Sequence, residues 1–154
     1  MARTVRAATQ GDLERIQDLA RRTIDARYRA FLGDEGVDGF LDSGASDDYV
    51  AQGLSDTEVL TDEDRIVGFC VSKQSLIDLM MVDHEVHRRG YGTALLRHAE
   101  GRLLETHDEI VLESFEDNDQ ANAFYRKNGW IESERFFDEA LGSRKIVFRK
   151  TRTG

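Results

Sequence analysis

The stretch Asp83-His84-Glu85-Val86-His87-Arg88-Arg89-Gly90-Tyr91-Gly92-Thr93-Ala94 constrains this chain more than any other. It follows Leu76 to Val82, which reads as a strand. It leads into Tyr91 to about Thr106, where Leu95, Leu96, Ala99, Leu103 and Leu104 recur at helical spacing on one face. A strand that enters a helix through two glycines leaves backbone N–H groups at the positive end of the helix dipole, open to any anion that approaches closely. Arg88 and Arg89 add positive charge there. The combination suits a pyrophosphate, whose oxygens match both backbone donors and arginine hydrogen bonds. Two common phosphate signatures are absent: no Lys-Ser or Lys-Thr follows the loop, and Leu95 stands at the third glycine position of the dinucleotide fingerprint. ATP and NAD are therefore disfavoured as ligands.

The rest of the chain supplies a mixed α/β frame for this loop. Thr4 to Ala8 reads as a strand, and Gly11-Asp12 opens an amphipathic helix carrying Leu13, Ile16, Leu19 and Ala20. From Thr23 to about Leu54 the glycines Gly33, Gly36 and Gly39 interrupt the apolar residues, so short helices and loops are expected there. Thr57–Leu60 and Arg65–Val71 form a hairpin candidate about the acidic turn Asp62-Glu63-Asp64. Ile110-Val111-Leu112 is a strand, Asp119 to Asn128 a helix stopped by Gly129, and Trp130–Phe136 and Lys145–Phe148 are the last strands. At 154 residues, with no proline, repeat or linker, the chain reads as one domain spanning 1–154.

Charge and composition narrow the partners. Lys and Arg total 21 against 30 Asp and Glu, so a nucleic-acid surface is not expected. No apolar run approaches the roughly 18 residues of a membrane span, and Met1-Ala2-Arg3-Thr4 leads into polar sequence, so the expected location is cytoplasmic. Cys70, the single cysteine, lies in an apolar run and reads as a buried hydrophobe. His84 and His87 lack further ligands at suitable spacing, so no metal is expected. A homodimer is the simplest assembly to expect, symmetric dimers being the commonest oligomers.

A second motif stands further along: Asn118-Asp119-Gln120-Ala121-Asn122-Ala123-Phe124-Tyr125-Arg126-Lys127-Asn128-Gly129-Trp130. With the glycine loop it resembles the GCN5-related N-acetyltransferases, whose pattern is a strand, then Gln/Arg-x-x-Gly-x-Gly/Ala opening a helix, then Asn-x-x-Ala-x-x-Phe-Tyr-x-Lys-x-Gly-Phe. Asn118, Ala121, Phe124, Tyr125, Lys127 and Gly129 fit, Trp130 replaces the usual aromatic, and His87 stands where the family has Gln or Arg. The resemblance is sharpest from Ser75 to Trp130. It implies a twisted, mostly antiparallel sheet of six to seven strands, about four flanking helices and a V-shaped cofactor cleft. It also implies acetyl-CoA as co-substrate and direct attack by a primary amine, on a small molecule or a peptide, within a ternary complex. The amides of Arg88, Arg89, Gly90, Tyr91, Gly92 and Thr93 would then cradle the pyrophosphate. Main-chain groups of Met80, Met81 and Val82 would pair with the pantetheine arm, while Asn118, Ala121, Phe124 and Tyr125 would line the cofactor site. A different acyl donor, or a non-catalytic acyl-CoA sensor, would keep the same cradle.

Acetyl transfer to an amine needs a neutral amine, stabilisation of the developing oxyanion and a proton for the departing thiolate. Tyr125 matches the family's general-acid tyrosine, and a phenol pKa of about 10 is close enough to a thiol's to serve. For the base, Asp78 is the leading candidate, a carboxylate between Ile77 and Leu79 on the strand before the loop. The acidic position usual in the family falls nearer Leu76, so Asp78 would act from two residues along. Glu113, at the end of the next strand, is its rival. Asn118 also stands where a helix N-cap is expected, a role compatible with cofactor contact. Arg27, Tyr28, Phe31 and Tyr49 are candidate acceptor walls.

Overall fold

From Ile66 to Ser72 every residue of the strand Arg65–Lys73 is buried, so this strand must lie inside a sheet covered on both faces. The structure is a computed structural model that describes residues 3–86 and 90–152. In chain order its elements are β1 (Arg3–Ala7), α1 (Leu13–Arg27), α2 (Arg29–Asp42), α3 (Ala45–Gln52), β2 (Thr57–Asp62), β3 (Arg65–Lys73), β4 (Leu76–Val82), α4 (Tyr91–Leu104), β5 (Glu109–Phe115), α5 (Asp119–Lys127), β6 (Ile131–Asp138) and β7 (Ser143–Thr151). The seven strands form one sheet in the order β1-β2-β3-β4-β5-β7-β6, antiparallel except where β4 meets β5. Glu63 and Asp64, both at positive φ, make the two-residue connection between β2 and β3, the geometry that matches the twist of a hairpin.

Alternation along β3 divides the core in two. Cys70 joins Leu95, Leu96 and Ala99 of α4 and Ile110, Leu112 and Phe148 of β5 and β7. Phe69 and Val71 face the other way, onto Ile16, Leu19 and Ile24 of α1, Val37 of α2 and Val50 of α3. The region 23–54 is more helical than its sequence suggested, which brings the described helices to five rather than about four. The cause lies in α2: Gly33 sits at φ 78 and kinks it, so one continuous apolar period never develops, yet Val37 is fully buried. Arg29, bonded to Asp25 and Asp38, ties the end of α1 to α2 across the join.

The cleft originates between β4 and β5. They pair only through Leu76↔Val111 and Ile77↔Leu112, and both strands continue beyond that point unpaired with each other. On its other edge β4 carries a bulge, because Ser72 pairs with Ile77 and Val71 with Leu79, leaving Asp78 as the extra residue. The bulge reverses the alternation. Ile77 packs with Met80 and Val82 on the α4 side, although Ile77 and Met80 would lie on opposite faces of a regular strand.

A partly buried ion pair, with Glu100 as its buried member, closes the α4 side. Glu100 accepts from Trp130 Nε1 at 2.8 Å and from Lys150 Nζ at 3.0 Å, and the same Nζ donates to the Asn128 carbonyl at 2.8 Å. Removing one partner strands the other charge, so Lys150→Met should cost about 3 kcal/mol in urea denaturation. Arg135→Ala, which breaks only exposed pairs, should leave the midpoint almost unchanged.

Candidate active site

Past Ile77 and Leu112 the parting strands bound a cleft of about 1350 Å³. One wall is β4 from Asp78 to Val82 with the first turn of α4, and the other is the end of β5 with α5. Asp78, Met80, Met81, Val82, Gly90, Tyr91, Gly92, Thr93, Glu113, Asn118, Ala121, Phe124 and Tyr125 all line it. Arg88 and Arg89, with His87, lie outside the described residues. Two of the lining side chains are committed elsewhere. Met81 is buried in the core under α1, and the Tyr91 hydroxyl donates to Asp62 at 2.5 Å while Arg3 lies over its ring.

Gly90 caps α4 at φ 76, a left-handed conformation that favours glycine. The Ala94 amide makes the first bond of the helix, to the Gly90 carbonyl, so the amides of Tyr91, Gly92 and Thr93 precede the helical ladder. A methyl at Gly92 would meet the Phe124 ring at 3.6 Å, which places α5 directly opposite these donors. Just before the loop, Asp83 is fully buried and binds Arg22 at 3.1 and 3.3 Å and Arg15 at 3.2 Å, both from α1. It also accepts from the Glu85 amide at 3.0 Å, fixing the short turn His84–Val86. Burial pushes its carboxyl up, but the hydrogen bonds from Arg22, the Glu85 amide and Arg15 outweigh burial and hold the pKa at about 2.

The helix α5 is secured at both ends. Asn118 Oδ1 accepts from the Ala121 amide at 3.3 Å, the expected N-cap. At the other end Gly129 takes φ 91, its amide bonds the Arg126 carbonyl at 3.1 Å, and the Trp130 amide bonds the Tyr125 carbonyl at 3.0 Å, a Schellman pair. Tyr125 is thereby fixed through its own backbone. Its ring packs 5.6 Å from Phe124, 5.8 Å from Phe148 and 6.5 Å from Trp130, centre to centre, and its hydroxyl makes no hydrogen bond among the described residues. Burial raises this phenol's pKa, so it keeps its proton at neutral pH.

The carboxylate candidates differ in setting. Asp78, at the bulge and part-buried, accepts a hydrogen bond from the Tyr49 hydroxyl, and Lys73 Nζ stands 3.9 Å away. Burial and then the Asp78 carboxylate raise the Tyr49 phenol. Glu113 is exposed, with Lys145 3.7 Å away. Tyr28, Phe31 and Phe115 close the far end of the cleft as an aromatic trio with centres 5.1 to 5.9 Å apart, and burial pushes Tyr28 up to about 12. Sequence reasoning missed Phe115 and Asn122. Asn122, buried, donates to the Phe115 and Glu116 carbonyls at 3.1 Å and holds the end of β5 against α5. Its signal was a polar residue one helical turn before Tyr125. Among the described residues there is no cluster of metal ligands and no helix long and apolar enough to cross a membrane.

Comparison with known proteins agrees with this geometry. The profile of the acetyltransferase (GNAT) domain matches residues 55–132, half of the chain. The chain is 29% identical over 145 residues, 90% of each sequence, to the peptidyl-lysine N-acetyltransferase YjaB of Salmonella typhimurium. It is 30% identical over 101 residues, 64% of each sequence, to the uncharacterised protein YxbD of Bacillus subtilis. Its fold superposes on the PaiA N-acetyltransferase of Thermoplasma acidophilum, solved in complex with coenzyme A, with a TM-score of 0.79 at 17% identity, covering 99% of this chain and all of that one.

The Asp83 clamp has a pH signature. A carboxyl held at about 2, below its usual value near 4, contributes stability that is complete above about pH 4 and is lost as pH falls toward 2. Asp83→Asn should therefore be less stable at pH 7 by about 2 kcal/mol, and in denaturation curves the gap to wild type should narrow between pH 4 and pH 2.

Proposed function

The chain belongs to the GNAT acetyltransferase family, and from that premise we propose that its 154 residues form one cytoplasmic catalytic unit that acetylates a primary amine on a small molecule or a peptide. The observation that carries this assignment is the parting of β4 and β5 after two residue pairs. It brings the amides that open α4, the open edge of β4, Tyr125 and Asp78 to one cleft. Acetyl-CoA supplies a thioester whose carbonyl carbon bonds to the amine nitrogen as its bond to sulfur breaks.

The residues present fit that donor. The amides of Tyr91, Gly92 and Thr93, at the positive end of α4, match the pyrophosphate oxygens, and Arg88 and Arg89 precede them in sequence. The edge of β4 from Met80 to Val82 faces no strand of the sheet beyond Ile77, so its backbone groups are free to pair with the amides of a pantetheine arm. Asn118, Ala121 and Phe124 form the opposite wall.

At the reacting end Asp78 takes a proton from the incoming ammonium, directly or through water, and leaves the nitrogen lone pair free to attack. Tyr125 donates its proton to the departing sulfur, and the second proton that the acylated nitrogen sheds restores the phenol. Its raised pKa keeps the proton available, and its hydroxyl has no competing partner among the described residues. Asp78 is preferred to Glu113 as base because it is part-buried at the point of parting, whereas Glu113 is exposed beside Lys145. The trio Tyr28, Phe31 and Phe115 forms a wall for the body of the acceptor.

Calorimetric titration with acetyl-CoA should give binding at micromolar level, and absence of binding would overturn the donor assignment. In a screen of amines that follows release of the free thiol, Tyr125→Phe and Asp78→Asn should each lower kcat by roughly 100-fold. Affinity for acetyl-CoA should stay near the wild-type value in both.

A further inference from the structure

Rings close the acceptor end of the cleft. Tyr28, at the join of α1 and α2, and Phe31, in the first turn of α2, both meet Phe115, the last residue of β5, with centres 5.9 and 5.1 Å apart. The helical side of the molecule thus touches the far end of β5 and spans the opening left where β4 and β5 part. All three rings are half-buried and line the cleft, together with Leu32 and Phe40 of α2 and Leu141 of the turn between β6 and β7. We infer that the acceptor is a small primary amine carried on an aromatic ring, with the ring packed on Tyr28, Phe31 and Phe115 and the nitrogen directed to Asp78. The inference rests on the acetylation reading above.

The trio reaches the reacting end. Burial raises the phenols of Tyr49 and Tyr125, Asp78 adds to the rise in Tyr49, and the neighbouring phenol of Tyr28 adds to the rise in both. Tyr28 therefore stands close to the hydroxyl that holds Asp78 and to the one that serves the departing sulfur. A substrate ring resting on the trio lies a short aliphatic arm from the point of transfer. The contacts within the trio are tilted or edge-on, at 34° to 73° between planes, so that the positive edge of one ring meets the negative face of another. An aromatic substrate extends this packing. An aliphatic chain of equal area gains only its burial, a difference of about fivefold in affinity. Charge disfavours a second cation at this end. Lys145 Nζ lies 5.3 Å from the centre of the Phe115 ring and holds Asp138 at 3.3 Å and Glu113 at 3.7 Å, so these carboxylates already face an ammonium. The lining carboxylates Glu35, Asp117 and Asp119 are exposed, where water and salt screen their pull. A polypeptide is disfavoured by the bridge itself, since a chain cannot pass between rings in contact.

The test follows release of free thiol by the full chain at saturating acetyl-CoA with four amines: 2-phenylethylamine, hexylamine, spermidine and a lysine-containing peptide with a blocked N-terminus. 2-Phenylethylamine should give the highest kcat/KM, about fivefold or more above hexylamine. Phe31→Ala, which removes a ring but no polar group, should bring those two amines within a factor of about two, through KM. Phe31→Leu, which keeps most of the volume, should act in the same direction, with the thermal midpoint and the affinity for acetyl-CoA reporting that each variant is folded. Equal use of hexylamine by the wild type overturns the inference. So does a lead for spermidine or for the peptide, and each of these results leaves acetylation itself standing. A preference for 2-phenylethylamine that survives in both Phe31 variants also overturns it, because the ring is then held elsewhere. If no amine releases thiol, the acetylation reading has failed and the inference with it, a result recognisable because all four amines share it.

Discussion

Two parallel strands that stay paired for only two residues must satisfy the backbone groups they leave behind, and the architecture of this chain follows from how it does so. A parallel pair that ran its full length would be covered on both faces and would have no cleft. Here β5 turns instead to β7, which pairs with it from Glu109 to Phe115, so the outer edge of β5 is satisfied while its inner edge opens. On the other side β4 keeps its ladder with β3 apart from the single bulge. The opening is thus confined to one seam, and the side chains at that seam are held by elements already fixed elsewhere: Tyr125 by its cap at Gly129, Asp78 by Tyr49, and the end of β5 by Asn122.

Much of this was legible in the sequence where a single residue type had to meet a backbone need. Gly90 at the start of α4, Gly129 at the end of α5 and the acidic hairpin turn all announced conformations that other residues take reluctantly, and all three stand where they were expected. The helical period of Leu95, Leu96, Ala99 and Leu103 was equally plain, since that face of α4 is buried without interruption. What could not be read was set by tertiary contact. The helix α2 carries three glycines and a kink, so its one fully buried residue, Val37, gave no period to follow. The bulge at Asp78 exists only relative to β3. Within β4 the residues Leu76 to Val82 look like an uninterrupted strand with one misplaced charge, and the aromatic trio joins residues 28, 31 and 115, which no local pattern connects.

Electrostatics in this acidic chain are arranged locally. The net charge of -9 gives no hint that Asp83 lies wholly buried between two arginines of α1, or that Lys150 reaches inward to Glu100. Both pairs join distant parts of the chain at points where a backbone turn must be held: the entry to the glycine loop in one case, the exit from α5 in the other. Surface pairs such as Arg135 with Glu132 are more numerous and join residues that the hairpin of β6 and β7 or the neighbouring loops already keep close.

The central strand has one more consequence. Because β3 turns alternate residues into two separate apolar clusters, the half of the molecule built on α1, α2 and α3 and the half built on α4 and α5 meet across the sheet and through the Asp83 clamp before the glycine loop. The aromatic wall at the far end draws two of its three rings from the first half, while the amides at the glycine loop belong to the second. Substitutions that reshape Val37, Val50 or the kink at Gly33 can accumulate without disturbing the packing beneath α4. A lineage can in this way repack one cluster while the other is inherited unchanged.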